Sequence, residues 1–87
     1  MRILLSCQIA LYPLAAKDTD KVIIEALKAI KPFEKKGLTV EVGSMSTVIK
    51  GPDKLVWEVV QVLFNRAAGD NQKIVLNMQV SNECGCD

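Results

Sequence analysis

The chain contains no histidine. That removes the side chain most often used as a general base near neutral pH, and the commonest metal ligand. Aromatic residues are scarce: Trp57, Tyr12, Phe33 and Phe64 are all there are, so the core has to be aliphatic. The formal net charge is +1 and no basic run exceeds Lys35-Lys36. This excludes the basic stripe that a nucleic-acid-binding surface needs. No apolar stretch approaches the length of a membrane span. Three scattered cysteines, an odd number, do not make a disulfide framework, and the expected compartment is a reducing cytoplasm. The opening Met1-Arg2-Ile3-Leu4-Leu5-Ser6-Cys7 imitates a lipoprotein cleavage box. Only six residues precede Cys7, too few for a charged region and an apolar region of roughly seven to fifteen residues.

What is present is one domain's worth of chain, 87 residues of which 49% are apolar. That fraction is generous for so small a domain, and implies that some apolar surface is covered by another subunit. The first strand, from about Arg2 to Tyr12, is the most informative stretch. Ile3, Leu5, Cys7, Ile9 and Leu11 form one wholly apolar face, and Leu4, Ser6, Gln8, Ala10 and Tyr12 form the other. An exposed sheet face ordinarily carries Lys, Glu and Thr. This one carries neutral hydrogen-bonding groups and a ring, which suits a buried interface or a small polar ligand.

Pro13 ends that strand, because proline cannot donate to a sheet ladder. Asp18, Thr19 and Asp20 offer caps for a first helix with Ile23, Ala26, Leu27 and Ile30 on its core face. Pro32 disfavours helical geometry at Lys31, and an irregular turn then runs to Gly37. Strand two is Leu38 to about Gly43, and strand three is Ser46–Lys50, forming a hairpin through a short connection or bulge at Gly43-Ser44-Met45. Gly51-Pro52-Asp53 reads as a turn into a second helix from about Asp53 to Ala68, with a core stripe of Val56, Val59, Val60, Leu63 and Ala67. Trp57 and Phe64 share a third face, as edge-of-core packing or as a subunit contact. Strand four is Gln72 to about Val80. The order β-α-β-β-α-β predicts an α+β, ferredoxin-like sandwich over residues 1–81, with a tail at 82–87. Its four-stranded antiparallel sheet carries both helices on one face, with strands one and three central. Ser6, Gln8, Tyr12, Thr39, Glu41, Asn77 and Gln79 then project from the helix-free face, which we expect to be covered at least in part.

This fold hosts many functions, and several leave marks that are missing here. There is no C-x-x-C in the first loop, as a metallochaperone would have. Strand three has no aromatic residue, as RNA recognition would need, and no glycine-rich loop precedes a helix. Cys84 and Cys86 form a C-x-C in the tail. No third or fourth ligand accompanies them, whereas closed zinc sites take four, so no metal is assigned. Ser6, Ser44 and Ser46 have only Lys50 as a nearby cation, and the chain is read as non-catalytic.

Three segments carry a resemblance. Ser6-Cys7-Gln8-Ile9-Ala10-Leu11-Tyr12-Pro13-Leu14, Met45-Ser46-Thr47-Val48-Ile49-Lys50-Gly51 and Cys84-Gly85 are similar to the YkoF-like family of thiamin- and hydroxymethylpyrimidine-binding proteins. The resemblance implies a ferredoxin-like domain that binds thiamin or its pyrimidine precursor. In that family the domain occurs in tandem or as single-domain chains that assemble, so a dimer or tetramer is implied for a one-domain chain. The residues are compatible with such a ligand. Ser6, Gln8, Ser46 and Thr47 both donate and accept, as an aminopyrimidine edge requires. Tyr12 is placed to stack on a ring, and Glu41 to pair with an exocyclic amine or a thiazolium cation. The expectation is therefore a cytoplasmic homo-oligomer that binds thiamin or a related pyrimidine as carrier, buffer or sensor. It uses no further cofactor and contacts neither nucleic acid nor membrane. The competing expectation is a structural or regulatory homo-oligomer in which a subunit fills the open sheet face and no ligand enters.

Overall fold

In the computed structural model the described residues are 4–14, 19–43, 46–69 and 73–82. Alternating apolar residues on strands and a 3.6-residue stripe on helices produce six main elements. They are β1 (Leu4–Pro13), α1 (Thr19–Ile30), β2 (Thr39–Val42), β3 (Thr47–Pro52), α2 (Asp53–Ala68) and β4 (Ile74–Ser81), with a 3-10 helix at Lys31–Lys36 following α1. All strand pairs are antiparallel and the order is β2-β3-β1-β4. This is the ferredoxin-like fold, with β1 and β3 in the centre of the sheet as the sequence predicts.

The core lies between the sheet and the two helices. Leu5, Cys7 and Ile9 of β1 and Ile49 of β3 meet Ala26 and Ile30 of α1 and Leu55, Val56, Val59, Leu63 and Ala67 of α2. Leu55 joins the buried stripe of α2 and Val60 is only partly buried, a shift of part of a turn from the expected face. Pro32 converts the end of α1 into the 3-10 segment, which closes at Gly37 with φ 107°. Only glycine adopts that backbone readily.

Of the boundaries that differ from the sequence reading, two involve prolines. β1 extends through Pro13, opposite Ile74, at the last ladder position, where proline is tolerated. Gly51-Pro52 belongs to β3 rather than to a turn: Gly51 faces Leu5 and Pro52 faces Leu4. The reason is steric. A Cβ on Gly51 would lie 3.2 Å from the Gly37 carbonyl oxygen, so the missing side chain lets β3 run close against the end of the 3-10 helix. Among the described residues no helix is long and apolar enough to cross a membrane.

Candidate functional site

The strand register sorts the candidate residues between the two sides of the sheet. Glu41, Val48, Gln8 and Gln79 form one row across all four strands, and Thr39, Lys50, Ser6 and Ser81 form the next. Side chains opposite one another in an antiparallel pair share a face. Ser6, Gln8 and Glu41 therefore lie together on the helix-free face. They are not in mutual contact: Glu41 and Gln8 are two strands apart, about 10 Å at the usual strand spacing. Among the described strand residues, Glu41 is the only carboxylate of this face and Lys50 its only cation.

Thr47, which shares hydrogen-bonding chemistry with Ser6, Gln8 and Ser46, lies on the other side of the sheet from Ser6 and Gln8. It stands opposite Ile9 and Val42 and is 8% exposed, buried on the helix side. Strand alternation is the cause: Val48 and Lys50 take the open face, so Thr47, Ile49 and Gly51 take the other. Ser46 lies just before β3, at the base of the hairpin. Its backbone carbonyl accepts the Gly43 N–H at 2.8 Å, and its hydroxyl oxygen accepts a hydrogen bond from Gln8 Nε2 at 3.2 Å. Tyr12, at the far end of β1, is 52% exposed.

Two concavities meet at these residues. On the helix side a cleft of about 150 Å³ opens between the end of β1, α1 and the β2–β3 hairpin. Ile9, Leu11, Ile23, Ala26, Leu27 and Leu63 line its apolar part, and Tyr12, Ser46 and Thr47 are its hydrogen-bonding side chains. On the other side a shallower depression of about 270 Å³ is lined by Gln8, Ala10, Tyr12, Ser46, Asn77 and Gln79. Tyr12 and Ser46 thus border both. Among the described residues no buried side-chain nitrogen or oxygen lacks a hydrogen-bond partner, and Thr47, nearly buried as a residue, belongs to the cleft lining.

The sequence reading missed the cleft's apolar wall, because Ile9, Leu11, Ile23, Ala26 and Leu27 read simply as core. A signal was present in Ala26: a small residue on a stripe of Ile and Leu leaves room. Burial raises the Cys7 thiol pKa above its ordinary range, which makes Cys7 an inert core residue rather than a ligand. Among the described residues no group of three or more metal-ligating side chains occurs. Ser44, Cys84 and Cys86 lie outside the described residues.

Comparison with known proteins adds a lineage. The sequence model of the YKOF-related family matches residues 4–87. No curated protein matches the chain closely enough to count as a relative. Several solved structures share the fold. A domain of unknown function, DUF77, from Bacillus cereus superposes with a TM-score of 0.77 at 19% identity, over 93% of this chain and 77% of that one. A protein of Thermotoga maritima provisionally assigned to thiamine biosynthesis or salvage gives 0.74 at 23% identity, over 94% and 86%. A Streptococcus pneumoniae protein gives 0.77 at 17% identity, over 93% and 86%.

Proposed function

We propose that this chain, which belongs to the YKOF-related family, binds thiamin or its hydroxymethylpyrimidine precursor with the pyrimidine ring in the helix-side cleft. The observation that carries this reading is the cleft itself, an aliphatic pocket of about 150 Å³ with the hydroxyl-bearing residues Tyr12, Ser46 and Thr47 in its lining. The size of the cleft agrees. A cavity of about 150 Å³ lined by aliphatic side chains accommodates one benzene-sized ring, and a pyrimidine has that footprint. Ser46 and Tyr12 supply further hydrogen bonds at the rim, as small-molecule sites use a few convergent polar groups on an apolar wall. Among the described residues no carboxylate lines the cleft, which suits the neutral pyrimidine better than a cation. The thiazolium of thiamin would lie outside the mouth. Gln8 acts here as a positioning residue, holding the Ser46 hydroxyl from the far side of the sheet. The resemblance in fold to the Thermotoga protein supports the same ligand class.

The reading is of a holder rather than a converter: a carrier, buffer or sensor in the cytoplasm. Hydroxyls and an amide bind without titrating near neutral pH, and the sequence has no histidine to move a proton. The free, buried Cys7 is consistent with a reducing compartment.

Thermal or denaturant unfolding with each compound tests it. Ligand at one hundred times its dissociation constant stabilises the native state by about 2.7 kcal/mol. Thr47→Val keeps the side-chain shape and should remove most of that stabilisation while the unliganded protein stays folded. If neither thiamin nor hydroxymethylpyrimidine shifts the transition, the proposal fails and the ligand-free homo-oligomer is the better reading.

A further inference from the structure

The helical layer leaves part of the sheet uncovered. β2 is the edge strand beside β3. Val40 and Val42 stand opposite Ile49 and Thr47, so both point to the helix side. Val40 is half-buried, but Val42 stays 64% exposed. Between these valines and the helical layer runs a groove of about 310 Å³. Its far wall is Ile24, Leu27 and Lys28 of α1, continued by Lys31 and Glu34 of the 3-10 helix. β2 follows directly after that 3-10 helix, so Val40 lies toward Lys31 and Glu34, and Val42 toward Ile24. One end of the groove is therefore aliphatic and the other is charged.

The charged end is positive on balance. Residues 28–36 carry four lysines and one carboxylate, Glu34. Lys36 is drawn to the Phe33 ring, with its Nζ 5.2 Å from the ring centre. Lys28 and Lys31 border the groove and form no ion pair among the described residues. The nearest carboxylates on neighbouring elements are turned elsewhere. Glu25 of α1 stands 3.9 Å from Arg66 of α2, and Glu41 of β2 lies opposite Val48, on the other side of the sheet. Glu34 offsets one of the two groove lysines and leaves the other unanswered.

We infer that this groove is a site for a small amphipathic organic anion, an aliphatic chain ending in a carboxylate. The chain lies over Ile24, Leu27, Val40 and Val42, and the carboxylate meets Lys28 and Lys31. The volume is at the lower end of the range for small-molecule sites, roughly 300–1,000 Å³, and the lining is of the same kind, aliphatic walls with a few polar groups. Lysine suits the task, because its stem extends the apolar wall while its ammonium stays at the wet rim. The charge preference is opposite to that of thiamin, whose thiazolium cation the two lysines would repel. Leu27 and Val42 line both the groove and the cleft and form the wall between them. The two sites are thus neighbours, and the inference does not depend on what the cleft holds.

Titration of the full chain with octanoate, 1-octanol and octylammonium, each below its aggregation concentration, tests it, with amide NMR shifts as the readout. The three probes share a chain and differ in charge. The expected order of affinity is octanoate, then octanol, then octylammonium, with the largest shifts in residues 24–31 and in β2. Lys28→Gln with Lys31→Gln should weaken octanoate by roughly fivefold, the effect of losing two exposed ion pairs, and leave octanol unchanged. Lys28→Glu with Lys31→Glu should make octylammonium the tighter ligand. Both lysines are exposed, so the fold's circular dichroism should not change. Failure of octanoate to bind overturns the inference. So does octanol binding as tightly as octanoate, or lysine variants that keep the original order. Shifts centred on Ile9 and Thr47 also overturn it, because they would put the chain in the cleft instead.

Discussion

At Thr47 and Cys7 single residues decide questions that composition leaves open. Thr47 was recognisable as a hydrogen-bonding candidate, but the side of the sheet it serves depended on the phase of β3. That phase is set by where the hairpin hands over to the strand, and Ser46 and Thr47 sit at that junction. Cys7 was readable as core from its apolar neighbours. Its thiol should resist alkylation in the native protein and react at the rate of unfolding, which a thiol-labelling time course with and without denaturant would measure. The same burial gives a pH dependence. Its folded-state pKa is raised, so the fold favours the protonated thiol. This contribution is fully present below the unfolded thiol's pKa and is lost as pH rises through the higher folded value. Denaturant midpoints should therefore fall on the alkaline side of the thiol range, and Cys7→Ala should lessen the fall.

At the scale of elements, hydrophobic periodicity was enough to find four strands and two helices, because each element buries one face. The boundaries of α2 came out at Asp53 and Ala68, where proline before the helix and Gly69 after it are strong local punctuation. β3 was cut short because Gly51-Pro52 has turn chemistry. Only the tertiary approach to Gly37 reveals that the glycine is a packing device. Gly51→Ala should therefore destabilise by about 1–3 kcal/mol, the usual penalty for overpacking, seen as a lower denaturant midpoint with an unchanged slope. Ile49→Ala, next to it on the buried face of β3, should cost about 2–5 kcal/mol. Glu25→Gln should change stability by less than about 0.5 kcal/mol, because its 3.9 Å pairing with Arg66 is between exposed side chains and such pairs contribute little.

For the whole molecule, the sequence made the fold legible and left the site half legible. Of the six candidate residues, Ser6, Gln8, Ser46 and Thr47 stand out for hydrogen bonding, Tyr12 for its ring and Glu41 for its charge, and chemistry does not say which side of a sheet a residue serves. The register divides them, and the apolar wall that completes the cleft is contributed by residues whose sequence signal is indistinguishable from core. Association adds a property of the assembled particle. If the chain forms the homo-oligomer that the sequence leads one to expect, the unfolding temperature must rise with protein concentration. Scans over a hundredfold dilution series should show that trend.

The sheet is one strand layer thick, and near the β2–β3 hairpin it ceases to be a barrier. Tyr12 and Ser46 border the cleft on one side and the depression on the other, and Gln8 reaches Ser46 from the open side. The two sides of the protein are therefore not separate addresses. A nitro group placed on the exposed Tyr12 ring by a reagent that never enters the cleft would alter the cleft's mouth. A ligand seated among Ile9, Ala26 and Thr47 would in turn change how fast that ring is modified. Tyr12 is in effect a window pane, and a reporter for the interior can be mounted on it from outside.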